Sequence, residues 1–196
     1  TIYELRWTTS SELGVCGPST DEVFITLQGA PTTANAGADQ NHCDVTSTNL
    51  AGNNPAVGTG AWSIISGTGG SFGNAAVFNT TFDGDPGETY VLRWTITNGL
   101  CGTSADDVTI KFDQSPVAAD AGIDQTVCGT SVVLAANAAA PGTGLWTVVS
   151  GAGGSFVNAT SATTTFNGAA NTIYELRWTT SSELGVCGPS TDEVFI

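Results

Sequence analysis

Five cysteines are the residues of this chain best suited to covalent or metal chemistry, and they recur at a regular spacing. Cys16, Cys101 and Cys187 follow one another at intervals of 85 and 86 residues, and Cys43 and Cys128 are 85 residues apart. A chain does not rebuild a single active site in each copy of a repeat. In an exported protein, cysteines that recur in this way favour disulfides over a nucleophile or a metal centre.

The cysteines belong to a longer repeated sequence. Residues 1–25 read TIYELRWTTSSELGVCGPSTDEVFI and return letter for letter at 172–196, and a shorter version, TYVLRWTITNGLCGTSADDVTI, spans 89–110. Pro31 and Pro116 open two further copies of a second motif.

The spacing predicts repeats of about 85 residues. We expect residues 1–30 to be the C-terminal part of a preceding repeat, and 31–115 and 116–196 to be repeats, the latter with a shortened last strand. A chain that begins inside a strand is expected to be a window of a longer tandem array.

Composition and charge exclude several classes of function. Hydrophobic residues make up 40% of the chain, there are 25 glycines, and four basic residues stand against 18 acidic ones, for a net charge of -14. This charge repels nucleic acids and anionic membrane surfaces. No apolar run approaches the roughly 20 residues of a membrane span. Nucleic acid and membrane insertion are therefore not expected.

Short runs of β-branched and aromatic residues, separated by Gly, Asn, Asp and Pro, predict strands. In the second repeat these runs are 117–119, 124–128, 131–136, 145–149, a short one at Phe156, 163–166, 173–180 and 191–196. Seven or so short strands in about 85 residues predict an all-β fold of tandem immunoglobulin-like β-sandwiches.

Alternation of apolar and polar residues identifies the predicted core. Tyr174, Leu176 and Trp178 share one face of a strand, and Trp146 stands on the strand where such sandwiches bury a tryptophan. The predicted core residues of the two repeats are Trp62, Trp94, Trp146, Trp178, Tyr90, Tyr174, Leu92 and Leu176.

Two disulfide arrangements are open from the sequence. Pairing within a repeat joins Cys43 to Cys101 and Cys128 to Cys187. In an immunoglobulin-like sandwich, however, these positions lie at opposite ends of strands about 20 Å long, and a disulfide needs Cα atoms within about 7 Å. Stacking repeats head to tail brings Cys43 toward Cys187, so we favour this pairing between repeats. The linkers before Pro31 and Pro116 are short and restrict independent motion.

Acidic residues also recur, and hard cations take oxygen ligands. Asp39, Asp124, Asp106 and Asp107 are therefore weak calcium candidates, although no calcium-binding loop motif accompanies them. The alternative is that these carboxylates serve solubility, turns and pairing with the recurring strand arginine. We favour this alternative and expect no cofactor. The glycine-rich stretch at 66–71 superficially resembles a phosphate loop but lacks the Gly-Lys-Ser/Thr ending, so we interpret it as a corner between strands.

The motifs AGxDQxxC, PxxGTGxW or PGTGxW, SGxGGSF, TTF, YxLRWT and CGxSxDxV cover essentially the whole chain. Together they resemble the PKD-like and immunoglobulin-like surface repeats of gliding Bacteroidetes, in particular those of SprB-type gliding adhesins. The resemblance implies PKD-like sandwiches in a very large cell-surface filament. It also implies export across the outer membrane by the type IX secretion system, gliding motility, and attachment to polysaccharide or solid surfaces.

Two functional hypotheses follow. The first is a non-catalytic stalk of a surface adhesin, whose partners are neighbouring repeats of the same chain and, through other regions, surface polysaccharide and the gliding machinery. The second is an array of carbohydrate-binding modules in a secreted polysaccharide-degrading protein. An exposed aromatic platform would favour the second, whereas the recurring aromatic residues alternate like a core. No enzyme is expected.

Overall fold

The computed structural model describes residues 1–196, and its regular secondary structure consists of fifteen β-strands and one short 3-10 turn. The strands are β1 (Ile2–Thr9), β2 (Ser19–Thr26), β3 (Gln40–Cys43), β4 (Ser47–Asn49), β5 (Thr59–Ser66), β6 (Ser71–Phe72), β7 (Thr81–Asp83), β8 (Glu88–Thr97), β9 (Thr103–Asp113), β10 (Ser131–Val133), β11 (Thr143–Ser150), β12 (Ser155–Phe156), β13 (Thr165–Asn167), β14 (Glu175–Ser181) and β15 (Ser190–Phe195). A single 3-10 turn spans Gly99–Cys101. The chain contains no helix of the length and apolar character needed to cross a membrane.

Strands β3 to β9 form a two-sheet sandwich. One sheet has the order β3-β9-β8-β5 and the other β4-β7-β6. All the pairs are antiparallel except β3 with β9, in which Gln40 lies opposite Ile110. Twelve buried residues, from Ala34 to Phe112, fill the space between the sheets. This is the all-β, immunoglobulin-like sandwich that the strand pattern predicts.

Strands β10 to β15 form a second sandwich, with sheets β11-β14-β15 and β10-β13-β12 around a core of its own. The strands predicted at 117–119 and 124–128 are wrong, because neither segment forms a ladder. In the first sandwich β3 pairs with the 110–113 end of β9, whereas β15 ends at Phe195. The segment is still attached to β15. The N–H of Ala119 donates to Ser190 Oγ and that of Ala121 to Asp192 Oδ2, as in the first sandwich, and the N–H of Gln125 donates to the carbonyl of Phe195.

The eight residues predicted to form the core are all buried. Trp62 lies opposite Trp94 and Trp146 opposite Trp178 in the strand register. The ring centroids of each pair are 5.1 and 5.2 Å apart. The same aromatic pair therefore anchors both sandwiches.

A buried tyrosine explains the glycine-rich corner of each sandwich. The hydroxyl of Tyr174 donates to the carbonyl of Ala152 at 2.7 Å and accepts from the N–H of Ala169 at 2.8 Å. A Cβ at Gly151, where φ is +101°, would lie 2.3 Å from Cδ1 of the Tyr174 ring. The corner needs glycine because the ring packs directly on the backbone.

Strands β1 and β2 pair with each other and with no other strand. Their register repeats that of β14 and β15: Trp7 lies opposite Asp21, as Trp178 lies opposite Asp192. All sixteen residues of these two strands are exposed. The β1–β2 hairpin therefore has the same strand pairing as β14–β15, although no second sheet packs on it as β10-β13-β12 packs on β14–β15.

Candidate functional site at the joint between repeats

The candidate site is the contact between the two sandwiches, which we call the joint. Two parts of the first sandwich contribute to it, the end of β9 at Asp113 and the end of β3 at Cys43. The second sandwich contributes residues 182–187, which belong to the loop between β14 and β15. We call these residues the long receiving loop. The connection between the sandwiches is short, since β9 ends at Asp113 and Pro116 opens the next repeat.

A disulfide crosses the joint. The Sγ atoms of Cys43 and Cys187 are 2.06 Å apart and their Cα atoms 5.2 Å apart. This is the pairing between repeats that the topology of the sandwich favours. The pairings within a repeat, Cys43 with Cys101 and Cys128 with Cys187, are not formed, and Cys16, Cys101 and Cys128 are free thiols.

The carboxylate of Asp113 is the second connection across the joint, and its side chain is almost fully buried, at 1% exposure. Oδ2 accepts hydrogen bonds from the N–H groups of Val186 at 2.8 Å and Cys187 at 3.1 Å, and Oδ1 accepts one from Leu184 at 3.3 Å. Three backbone donors of the long receiving loop thus converge on one side chain of the preceding sandwich. Hydrogen bonds to an ionised acceptor are about twice as strong as neutral ones.

The electrostatics of Asp113 follow from this arrangement. Burial by itself raises the pKa of a carboxyl group because it disfavours the charged form. Here the Ser182 side chain and the N–H groups of Val186, Cys187 and Leu184 outweigh burial and lower the pKa of Asp113 to about 2. The joint therefore holds a buried carboxylate in its charged form at every physiological pH.

Asp44 fixes the chain as it leaves the first sandwich. Its carboxylate accepts the N–H of Ser115 at 2.8 Å and the Ser115 hydroxyl at 2.6 Å. These two hydrogen bonds lower the pKa of Asp44. The N–H of Asp44 donates in turn to the carbonyl of Asp113 at 3.0 Å. Asp44, the residue next to the disulfide cysteine Cys43, therefore fixes the linker at Ser115.

Sequence reasoning did not identify Asp113 or Asp44 as site residues. A signal for Asp113 was present, since the corresponding residue after the first copy is Gln28 and the hairpin loop changes length between copies. A difference between copies does not by itself show what Asp113 contacts.

A second, smaller contact links the β1–β2 hairpin to the first sandwich. Asn98 Nδ2 donates to the carbonyl of Gly29 at 2.7 Å. The side-chain oxygen of Gln28 lies beside Gly99. Gln28 and Asp113 thus occupy equivalent positions in successive copies. Gln28 is a neutral amide beside the turn at Gly99, whereas Asp113 is a carboxylate bonded to three N–H groups.

The four weak calcium candidates have structural partners. Asp39 accepts the N–H of Thr109 and Asp124 that of Phe195, at 2.8 and 2.9 Å, so both fasten the first segment of a repeat to its last strand. Asp106 accepts the N–H of Ala36. Asp107 pairs with Arg93.

One group of three side chains with metal-binding atoms lies within 4.8 Å, namely Cys43, Asp44 and Cys187. Two of the three are consumed by the disulfide.

The recurring strand arginine pairs with a carboxylate on the neighbouring strand in each copy, as the sequence analysis favoured. The pairs are Arg6 with Glu22, Arg93 with Asp107, and Arg177 with Glu193. All are partly open to solvent, and exposed pairs of this kind contribute about 0–1 kcal/mol each.

A cavity of about 510 Å³ opens at the far end of the second sandwich, with Phe166 and Tyr174 among its lining residues. Their counterparts in the first sandwich, Phe82 and Tyr90, pack on Phe112. In the first sandwich the side chain of Phe112 lies against this pair of rings, so the cavity is not assigned as a ligand site.

Comparison with known proteins gives a likeness of fold alone. No family model and no curated protein sequence matches the chain. Three solved structures to which the chain is similar are a PKD domain, an insect protein and an Ig-domain pair.

The PKD domain of the KIAA 1837 protein is 24% identical with a TM-score of 0.38, over 45% of this chain and 93% of that one. The insect immune protein hemolin is 12% identical with a TM-score of 0.44, over 98% of this chain and 55% of that one. The IG1 and IG2 domains of DIP-gamma are 11% identical with a TM-score of 0.41, over 86% of this chain and 97% of that one. The chain spans about half the length of the hemolin structure.

Proposed function

We propose that this chain is a structural segment of a very large cell-surface adhesin filament, in which immunoglobulin-like repeats are joined rigidly end to end. The observation that carries the proposal is the joint, where a disulfide and a buried carboxylate connect two sandwiches that have separate cores. Domains within a chain ordinarily move relative to each other unless their interface is large and apolar. Here the Cys43–Cys187 disulfide, the hydrogen-bonded carboxylate of Asp113 and the short linker restrict the motion of one sandwich relative to the other.

The hairpin of β1 and β2 supports the same organisation. We propose that residues 1–30 close a preceding repeat, and that 31–115 and 116–196 are successive repeats. The hairpin exposes four apolar residues whose counterparts in the second sandwich are all buried. They are Tyr3, Leu5, Trp7 and Val23, and the counterparts are Tyr174, Leu176, Trp178 and Val194. A large exposed apolar patch marks an interaction surface.

The finer parts of the proposal rest on the sequence resemblance to gliding adhesins. They are gliding motility, surface attachment, export across the outer membrane by type IX secretion, and contact with polysaccharide and the gliding machinery through other regions of the protein. The segment itself supplies length and stiffness, and its partners are neighbouring repeats of the same chain. Catalysis has no part in this role.

The alternative of a carbohydrate-binding array gains no support from the tryptophans of the two sandwiches. The four tryptophans of the two sandwiches are 4% exposed or less. A sugar platform needs aromatic rings that face solvent.

We also propose that the joint forms without a metal ion, because the carboxylates near it already accept backbone hydrogen bonds. A ligand that binds only the folded state raises its melting temperature. Melting temperatures in EDTA and in millimolar calcium should therefore agree within about 1 °C. A rise of several degrees that saturates with calcium would overturn this part of the proposal.

The function is tested by antibodies raised against the purified chain, used on intact cells that express the full protein. Labelling of surface filaments, together with a glycan array on which the chain shows no saturable binding, is the expected result. Saturable binding to one glycan would establish the alternative. Labelling confined to permeabilised cells would refute a surface role.

A further inference from the structure

The receiving loops of the three copies are of two kinds. Between β14 and β15 the loop includes residues 182–187, and residues 11–16 repeat its sequence. Between β8 and β9 the turn is shorter, with Asn98, the 3-10 turn Gly99–Cys101 and Gly102. In chain order the loops are therefore long, short and long.

The residues that end the copies are also of two kinds. Gln28 comes three residues after Ile25, and Asp113 comes three residues after Ile110. One is a neutral amide with both donors and an acceptor, and the other is an anion that only accepts. The exit residue of a long-loop copy is Gln28, and that of a short-loop copy is Asp113.

The long receiving loop suits a carboxylate. Gly185, with φ of +70°, turns the chain so that the N–H groups of Leu184, Val186 and Cys187 converge on Asp113. A glutamine amide in the same place has one oxygen, and its NH₂ group would face the same donors. Buried donors left without an acceptor are costly.

The short turn differs from the long loop in how its N–H groups are used. Two of them are bonded within the turn, since Cys101 donates to the carbonyl of Asn98 and Asn98 to that of Gly102. The bond it makes to the preceding copy comes from the Asn98 side chain to the carbonyl of Gly29. A carboxylate here would find no set of converging backbone donors.

The long loop keeps its shape without a partner. In the exposed copy at 11–16, the Ser11 hydroxyl lies 3.3 Å from the carbonyl of Cys16, as the Ser182 hydroxyl lies 3.0 Å from that of Cys187. Gly14 has φ of +65°, close to that of Gly185. The backbone shape of the receiving loop is therefore preformed, which lowers the entropic cost of docking. One donor still has to change partner, because the N–H of Cys16 donates to Ser11 Oγ at 3.1 Å, whereas that of Cys187 donates to Asp113.

We infer that the exit residue and the receiving loop are a matched pair that determines which kind of repeat follows which. A repeat that ends in Asp113 fits a long-loop repeat, and a repeat that ends in Gln28 fits a short-loop repeat. The exposed loop at 11–16 is then a docking surface for a repeat whose exit end carries an Asp113-like carboxylate beside a Cys43-like cysteine. The array alternates two kinds of repeat and has a true period of two repeats, which accounts for the identity of 1–25 with 172–196.

This inference rests on the proposed role of the joint as a rigid connection, and its test is independent of where the protein acts. The full chain is prepared as wild type, as Asp113→Gln, with residues 182–186 replaced by Asn-Gly-Leu, and with both changes. Each is equilibrated with reduced and oxidised glutathione, and the equilibrium constant of the Cys43–Cys187 disulfide is measured. Asp107→Asn, on the same strand but away from the loop, is the control.

Each single change should lower the equilibrium constant of the Cys43–Cys187 disulfide about tenfold. The double change should restore this constant to within about threefold of the wild-type value. The control should change it by less than about twofold. Additive losses in the double variant would overturn the inference. Amide exchange of Val186 and Cys187 in Asp113→Gln gives a second measurement that needs no loop exchange. Protection lower by tenfold or more supports the pairing, and unchanged protection refutes it.

Discussion

Trp7 and Trp178 occupy the same position in two copies of one 25-residue sequence, yet Trp7 is 74% exposed and Trp178 is 1% exposed. Both lie opposite an aspartate in the register of their hairpins. Local sequence therefore determines the hairpin and its register. The sheet that covers the hairpin determines which face becomes core.

Replacement of these two tryptophans separates local from tertiary effects. Trp178→Ala should lower the free energy of unfolding of the second sandwich by about 3–5 kcal/mol, because it removes a buried ring that packs on Trp146 at 5.2 Å. Trp7→Ala, in the same local sequence, should change it by less than about 0.5 kcal/mol. Urea unfolding followed by fluorescence measures both, and equal losses would contradict the structure.

The core and the architecture could be predicted because period-2 alternation is a local signal that survives in every copy. Tyr174, Leu176 and Trp178 are recognisable from their spacing alone, and all are buried. Recurrence of cysteines, combined with the length of a strand, favoured the pair Cys43 and Cys187. The strand at 124–128 was wrong because a parallel ladder depends on a distant partner segment.

Asp113 could not be recognised from its own sequence context. Its role depends on three N–H groups that lie more than 70 residues further along the chain and belong to another sandwich. No spacing within one repeat encodes that contact. Only a comparison of loop lengths between the copies could have indicated this contact.

The charge on Asp113 makes the joint sensitive to strong acid. Because its pKa is lowered from 3.8 to about 2 in the folded chain, the carboxylate contributes stability that is present above pH 4 and is lost as the pH falls through 2. The shift corresponds to about 2 kcal/mol. The difference in unfolding free energy between wild type and Asp113→Asn should therefore shrink between pH 4 and pH 2.

Amide chemical shifts of Val186 and Cys187 give a direct measurement of the same group. In the folded chain they should titrate with a midpoint near pH 2. A midpoint near 4, or a pH-independent difference between the two proteins, would show that the carboxylate is not held by the loop.

The disulfide should make the two sandwiches behave as one body. Cys43→Ser removes the disulfide but keeps the hydrogen bonds of Asp113 to the loop. The two sandwiches should therefore stay in contact and move more freely relative to each other. In the chain-entropy treatment, a bond between residues 144 apart contributes at most about 5 kcal/mol. Small-angle scattering should show a broader distribution of maximum dimensions for Cys43→Ser, and no change for the control Cys101→Ser. Non-reducing peptide mapping of the wild type that yields a Cys43–Cys101 peptide would contradict the pairing.

The glycine corner allows a matched test of backbone strain against steric contact. Gly151 and Gly153 both have positive φ, +101° and +79°, but a Cβ at Gly151 would lie 2.3 Å from the Tyr174 ring, whereas one at Gly153 would meet nothing within 4 Å. Gly153→Ala should therefore cost only the backbone term, about 1 kcal/mol. Gly151→Ala adds displacement of a buried ring that makes two hydrogen bonds, and should cost about 3 kcal/mol or more. Thermal unfolding of the two variants gives the comparison, and a Gly151→Ala chain as stable as Gly153→Ala would mean that the tyrosine does not pack on the corner.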